Sequence, residues 1–84
     1  MINILYFQAK WCSGCNAIKP SINEASHQPN VRVKTIDTDY DISTTQQYNV
    51  SSIPTVILVE DNGTEIRRFV GTKSRTEIEK FING

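Results

Sequence analysis

Between a short apolar segment and a helix-like segment, the chain reads Lys10-Trp11-Cys12-Ser13-Gly14-Cys15. Two cysteines with this spacing at a strand-to-helix junction are typical of a redox motif. If the helix begins near Ser13, Cys12 lies at its N-terminus, where unpaired backbone N–H groups and the positive end of the helix dipole favour a thiolate. The sequence therefore predicts a redox-active dithiol at Cys12 and Cys15.

Other roles explain the two cysteines less well. A disulfide that closes a four-residue loop would stabilise the fold by only about 2 kcal/mol, against roughly 4 kcal/mol for a loop that spans most of the chain. A tetrahedral zinc ion needs four ligands, and beside the two cysteines the chain offers only His27, which we expect in an exposed loop. We therefore expect no metal, with inert buried thiols or an intermolecular metal site as the alternatives.

Size and charge narrow the possible partners. A chain of 84 residues, 38% of them hydrophobic, has room for one modest core, so we expect a single domain over residues 1–84. Nine basic and nine acidic residues cancel, and the adjacent Arg67 and Arg68 would point to opposite faces of a strand. We therefore expect no binding to nucleic acid. We also expect a monomer.

The sequence shows neither a membrane span nor a signal peptide, and the expected cellular location is based on this. No stretch approaches the ~20 apolar residues of a membrane span, and the N-terminus lacks the features of a signal peptide. We therefore expect no membrane association and a cytoplasmic location. In a reducing compartment, a lone Cys-x-x-Cys pair favours thiol exchange over permanent cross-linking.

Hydrophobic periodicity predicts seven short elements. The predicted strands are Ile2–Phe7, Val31–Asp37, Thr55–Val59 and Thr64–Val70. The first predicted helix runs from Ser13 to about Ala25, and the third from Arg75 to Ile82. The second is a short helix that ends at about Tyr48. The first strand is apolar on both faces, as in a central strand, while the second alternates with charge, as in an edge strand. The first helix has an apolar stripe of Ala17, Ile18, Ile22 and Ala25. Asp41 or Ser43 is expected to cap the second helix and Ser74 the third, and Asp61-Asn62-Gly63 predicts a hairpin turn.

Several local motifs together resemble those of the thioredoxin superfamily, in particular its small and glutaredoxin-like thioredoxins. They are Trp11-Cys12-Ser13-Gly14-Cys15, Pro20 five positions after the second cysteine, Ile53-Pro54-Thr55 before a strand, and Val70-Gly71 after the hairpin. The resemblance covers nearly the whole chain. It implies an α/β protein with a minimal thioredoxin fold, in which βαβαββα forms a four-stranded mixed sheet with helices on both faces. It also implies a cis peptide bond before Pro54.

The resemblance also implies a site. Trp11, Ile53, Pro54 and Gly71 would line an apolar groove for a substrate peptide, and Ser13 and Gly14 would influence the reduction potential. Cys12 would be the nucleophile and Cys15 the resolving thiol. Considered alone, Trp11 is alternatively a core residue, and Pro54 an ordinary proline at the start of a strand.

The sequence departs from its relatives at specific positions. Thioredoxins usually carry a buried aspartate six residues before the first cysteine and a lysine near it, where this chain has Tyr6 and Thr35. We therefore expect a tyrosine hydroxyl or a water molecule to assist proton transfer at Cys15, a high pKa for Cys15, and slower or less pH-tuned resolution. The chain begins at the strand before the motif and has the length of glutaredoxins, yet Ser13-Gly14 differs from their usual Pro-Tyr.

The predicted function is that of a protein disulfide reductase. Its substrates would be proteins that contain disulfides, and its reductant a thioredoxin reductase. The chain has no Gly-x-Gly-x-x-Gly fingerprint for a nicotinamide cofactor, and we expect it to need no cofactor of its own. A glutaredoxin-like enzyme coupled to glutathione is the first alternative. The second is a non-catalytic binding module that holds a partner in the groove of Trp11 and Pro54.

Overall fold

The computed structural model describes residues 1–84 as seven elements in the predicted βαβαββα order. The strands are β1 (Ile2–Gln8), β2 (Val31–Asp37), β3 (Thr55–Val59) and β4 (Glu65–Val70), and the helices are α1 (Ser13–Ala25), α2 (Ile42–Gln47) and α3 (Arg75–Asn83). These bounds agree with the sequence-based ones to within one residue, except that the sequence left the start of α2 open between two candidate caps.

The four strands form one mixed sheet in the order β2-β1-β3-β4. β1 pairs with β2 in parallel, with Tyr6 opposite Thr35, and pairs with β3 in antiparallel orientation. The central position of β1 and the edge position of β2 are therefore as predicted. Because parallel strands end at the same edge of a sheet, the segments that follow β1 and β2 leave the sheet side by side.

Helices cover both faces of the sheet, as predicted. On one face, α1 and α3 pack over an apolar core to which the sheet contributes Ile4, Tyr6, Val31, Val56, Leu58 and Phe69. On the other face, Tyr48, Val50 and Ile53, which follow α2, pack over Phe7, Ile36, Ile57 and Val59. The predicted stripe of α1 is wrong at Ala17, which is exposed; Cys15 is buried with Ile18, Ile22 and Ala25 instead.

Side chains cap the two later helices. An oxygen of Asp41, not of Ser43, accepts a 3.1 Å hydrogen bond from the backbone N–H of Thr44. At the start of α3, the Ser74 hydroxyl accepts from the N–H of Glu77, and the Glu77 carboxylate accepts from the N–H of Ser74, each at 3.2 Å. This capping box satisfies two backbone donors, and the bond from Ser74 lowers the pKa of Glu77.

The two adjacent arginines point to opposite faces of β4. Arg67 donates to the carbonyl oxygen of Phe81 in α3, whereas Arg68 donates to the Glu65 carboxylate and to the carbonyl oxygen of Tyr48. Both side chains therefore have structural partners. None of the three helices combines the length and the apolar character that a membrane-spanning helix requires.

Candidate active site

Cys12 is the N-cap residue of α1, as the sequence predicts. Its backbone is extended, its N–H donates to the carbonyl oxygen of Ala9 at 3.1 Å, and its carbonyl oxygen accepts the first helical hydrogen bond, from Asn16, also at 3.1 Å. The Cys12 sulfur accepts the backbone N–H of Cys15 at 3.1 Å. The sulfur thus takes the place of the usual capping oxygen, next to the free N–H groups of the helix.

The two cysteines form a disulfide, with their Cα atoms 5.2 Å apart. Cys12 is 7% exposed and Cys15 is fully buried at 0%. Both pack against Ala9 and the partly buried Ile53. Access to the sulfur matters for thiol exchange, and Cys12 is the more exposed of the two cysteines.

Pro54 and Gly71 lie together at the open end of the β3–β4 hairpin, where Pro54 precedes β3 and Gly71 follows β4. The Ile53–Pro54 peptide bond is cis, as the family resemblance implies, and Pro54 is buried. The N–H of Gly71 donates to the carbonyl oxygen of Pro54 at 2.9 Å, and Gly71 has a φ of 92°, which glycine adopts without steric cost. The segment after β4 is therefore fixed beside Pro54.

Trp11 lines a groove beside the disulfide. Its side chain is 71% exposed, and its indole N–H donates to the Asp39 carboxylate at 2.8 Å. The groove has a volume of about 160 Å³ and is lined by Trp11, Thr38, Thr45, Val50, Ser51 and Ile53. The alternative that Trp11 is a core residue is therefore wrong. The structure brings Trp11 and Ile53 to this groove, whereas Pro54 and Gly71 do not line it.

Tyr6 contacts the backbone of the second cysteine. Its side chain is 2% exposed, and its hydroxyl donates a 2.5 Å hydrogen bond to the carbonyl oxygen of Cys15. Burial raises the pKa of the Tyr6 phenol, because a phenolate would lose its hydration. Tyr6 is therefore a neutral donor that joins β1 to α1 at Cys15. Ser13 is exposed and Gly14 half-buried in the first turn of that helix.

Sequence reasoning did not identify Asp39 as part of this site. The signal was present, because Asp39 follows β2 as Trp11 follows β1, and these two strands are parallel neighbours. The ends of the two strands bring side chains 28 residues apart in sequence into hydrogen-bond contact. Thr38 follows β2 in the same way, whereas Thr45 and Ser51 have no comparable signal in the sequence.

Comparison with known proteins gives one consistent family. The family model for thioredoxin matches residues 1–84. The thioredoxin of Chlamydia trachomatis serovar D is 37% identical over 81 residues, which are 95% of this chain and 78% of that protein. The thioredoxin of Haemophilus influenzae is 33% identical over 82 residues, which are 95% of this chain and 76% of that protein.

Solved structures agree with this family. A mutant thioredoxin from Halobacterium salinarum superposes with a TM-score of 0.89 at 26% identity, over 98% of this chain and 72% of that chain. The oxidised mitochondrial thioredoxin 3 of Saccharomyces cerevisiae superposes with a TM-score of 0.86 at 28% identity, over 98% of this chain and 76% of that chain. These relatives do not favour the glutaredoxin-like alternative.

Sequence, fold and site chemistry lead to the same family. The family implies protein substrates that contain disulfides and reductases as partners. The Cys12–Cys15 disulfide at the start of α1 supplies the chemistry that such reactions need. This chain belongs to the thioredoxin family and is a protein thiol–disulfide oxidoreductase.

Proposed function

We propose that this single domain acts as a monomer in the cytoplasm and reduces disulfides in other proteins, with Cys12 as the nucleophile and Cys15 as the resolving thiol. One observation carries the assignment of roles. Cys12 lies at the N-terminus of α1, where its sulfur accepts the N–H of Cys15, and it is the less buried of the two cysteines, at 7% exposure against 0% for Cys15. A helix N-terminus stabilises the thiolate, so the reactive and accessible sulfur is the same one.

The reaction has two exchange steps. The Cys12 thiolate attacks one sulfur of a substrate disulfide, forms a mixed disulfide and expels the other substrate sulfur as a thiolate. The Cys15 thiol then loses its proton and attacks the Cys12 sulfur, which releases the second substrate thiolate and forms the Cys12–Cys15 disulfide. Two electrons pass to the substrate. The second step is intramolecular and one helical turn away, so it benefits from proximity.

The residues around the disulfide would position the substrate. In this proposal Trp11 and Ile53 hold substrate side chains in the groove, while Pro54 and Gly71 contact the substrate backbone. An extended peptide can bind by pairing its backbone with exposed backbone groups of a protein. Ser13 and Gly14 form the first turn of α1 between the two sulfurs, and Tyr6 positions Cys15 through its carbonyl group.

The oxidised protein must receive two electrons before it can act again. We propose a flavin-dependent thioredoxin reductase as the donor, because the chain carries no nicotinamide-binding fingerprint and its relatives are thioredoxins. The reductase would transfer electrons from NADPH to the Cys12–Cys15 disulfide by the same exchange chemistry in reverse.

Insulin reduction tests this function with two electron sources in parallel. One reaction contains NADPH and thioredoxin reductase; the other contains NADPH, glutathione and glutathione reductase. Cys12→Ser serves as the inactive control. We expect turnover only with thioredoxin reductase. Turnover only with glutathione would assign the glutaredoxin activity instead, and no turnover above the control in either reaction would favour the binding module.

A further inference from the structure

Gly14 differs from the other glycines of the chain. Gly63, Gly71 and Gly84 have φ values of 91°, 92° and 81°, which disfavour other residues. Gly14 has no such φ and lies in the first turn of α1. Glycine destabilises a helix by roughly 0.5–1 kcal/mol relative to alanine. The backbone therefore gives no reason for glycine at this position.

The surroundings of Gly14 supply a reason. A Cβ atom at position 14 would lie 3.1 Å from the Thr72 hydroxyl oxygen and 3.5 Å from Cδ of Pro54. The second distance is an ordinary van der Waals contact, whereas the first is tighter than a well-packed carbon–oxygen contact. Thr72 is therefore the neighbour that a side chain at position 14 would meet most closely.

Thr72 is held from both ends of its loop. On one side, the N–H of Gly71 donates to the carbonyl oxygen of Pro54 at 2.9 Å. On the other side, Ser74 is fixed as the cap of α3 by its two hydrogen bonds with Glu77. Thr72 itself is exposed. A side chain at position 14 would thus displace the Thr72 hydroxyl by a few tenths of an ångström, in a segment that is fixed at Gly71 and at Ser74.

We propose that Thr72 is a positioning residue for the dithiol, and that its hydroxyl, which lies close to the space beside Gly14, couples the Gly71–Thr72 segment to the start of α1. This close approach determines how near Gly71 lies to Cys12. A side chain at position 14 moves that segment outward, and removal of the Thr72 side chain allows it to return. The inference rests on the proposed function, because it assumes that a substrate backbone passes Gly71.

A double-mutant cycle with two substrates tests this contact. The reduced forms of the wild type, Gly14→Ala, Thr72→Ala and the double variant react with insulin and, separately, with a small aromatic disulfide. We expect Gly14→Ala to slow the insulin reaction about fivefold. A coupling of that size between the two substitutions is within the range that neighbouring residues show in double-mutant cycles. Thr72→Ala in the same chain should restore the rate to within about twofold. The small disulfide has no peptide to contact Gly71, so its rate should change less than about twofold.

Lys73→Ala, combined with Gly14→Ala, is the matched control, because it shortens the next side chain of the same loop. This control should not restore the insulin rate. Three results would each overturn the inference. They are independent effects of Gly14→Ala and Thr72→Ala on the insulin rate, equal losses of rate with both disulfides, and rescue of the insulin rate by Lys73→Ala. A different result would contradict the proposed function: a wild type that reacts with insulin no faster than Cys12→Ser does.

Discussion

The hydroxyl of Tyr6 donates a 2.5 Å hydrogen bond to the backbone carbonyl oxygen of Cys15. This bond joins the central strand to the dithiol helix at its second cysteine, within the core of the protein. In thioredoxins the corresponding position usually holds a buried aspartate. Here the group is a neutral phenol, because burial raises the pKa of Tyr6. The chain therefore supports Cys15 by a hydrogen bond instead of by a buried charge.

Tyr6→Phe should destabilise the oxidised protein by about 1 kcal/mol, the usual net value of a buried hydrogen bond. The aromatic ring and its packing are retained, so the loss reports on the hydroxyl. Denaturant unfolding monitored by circular dichroism measures the change. Tyr40→Phe is the matched control, because Tyr40 is 80% exposed, and we expect it to change stability by less than about 0.5 kcal/mol. Equal effects of the two substitutions would contradict a specific role of the Tyr6 hydroxyl.

The same tyrosine predicts a dependence of stability on pH. The pKa of Tyr6 is raised in the folded protein above its ordinary value of 10.0. A raised pKa means that the folded state retains the proton longer than the unfolded state, so this contribution is fully present below pH 10 and decreases above it. Between pH 8 and about pH 11, the wild type should therefore lose more stability than Tyr6→Phe does. Parallel pH profiles for the two proteins would contradict this prediction.

Asp39 should influence substrate binding through Trp11. Asp39→Ala removes the acceptor of the indole N–H and frees an exposed side chain that lines the groove. We expect kcat/KM for insulin to fall about threefold, mainly through KM, as suits the loss of one exposed hydrogen bond. Asp61→Ala removes a carboxylate that accepts from Asn3, away from this groove, and should leave both constants unchanged. A loss confined to kcat would contradict a role in binding.

Ser74→Ala should weaken the start of α3. The substitution removes an N-cap whose loss typically costs about 1 kcal/mol, and it leaves the N–H of Glu77 without its partner. Thermal unfolding measures the loss. Thr76→Ala, in the exposed first turn of the same helix, is the control and should not lower the melting temperature. A melting temperature of Ser74→Ala equal to that of the wild type would show that the capping box contributes nothing.

Local sequence signals predict the order of the elements, whereas the four-stranded mixed sheet was implied by the family resemblance. The apolar run Thr55–Val59, the turn after it and the capping residue Ser74 mark elements by rules that act over a few residues. The position of Cys12 at the start of α1 follows from the same rules. Asp41 and Ser43 were equally good candidate caps by residue type, and only the structure distinguishes them.

The contacts of the site could be predicted only in part. The bond between Trp11 and Asp39 and the close approach of Thr72 to Gly14 join residues that are distant in sequence. They depend on strand register and on the exact path of a loop. Tyr6 was expected to assist Cys15, but the sequence does not show that its hydroxyl faces the carbonyl oxygen. The periodic pattern also placed Ala17 in the core, because it does not fix the rotation of a helix within one residue.

Trapping of the mixed disulfide tests the central claim, that Cys12 attacks and Cys15 resolves. Reduced Cys15→Ser and reduced Cys12→Ser are each incubated with insulin, and the products are digested and identified by mass spectrometry without reductant. The account predicts a stable disulfide between Cys12 and an insulin cysteine in Cys15→Ser, and almost no adduct in Cys12→Ser, because its remaining cysteine is fully buried. An adduct that forms on Cys15 at the same rate would contradict the account.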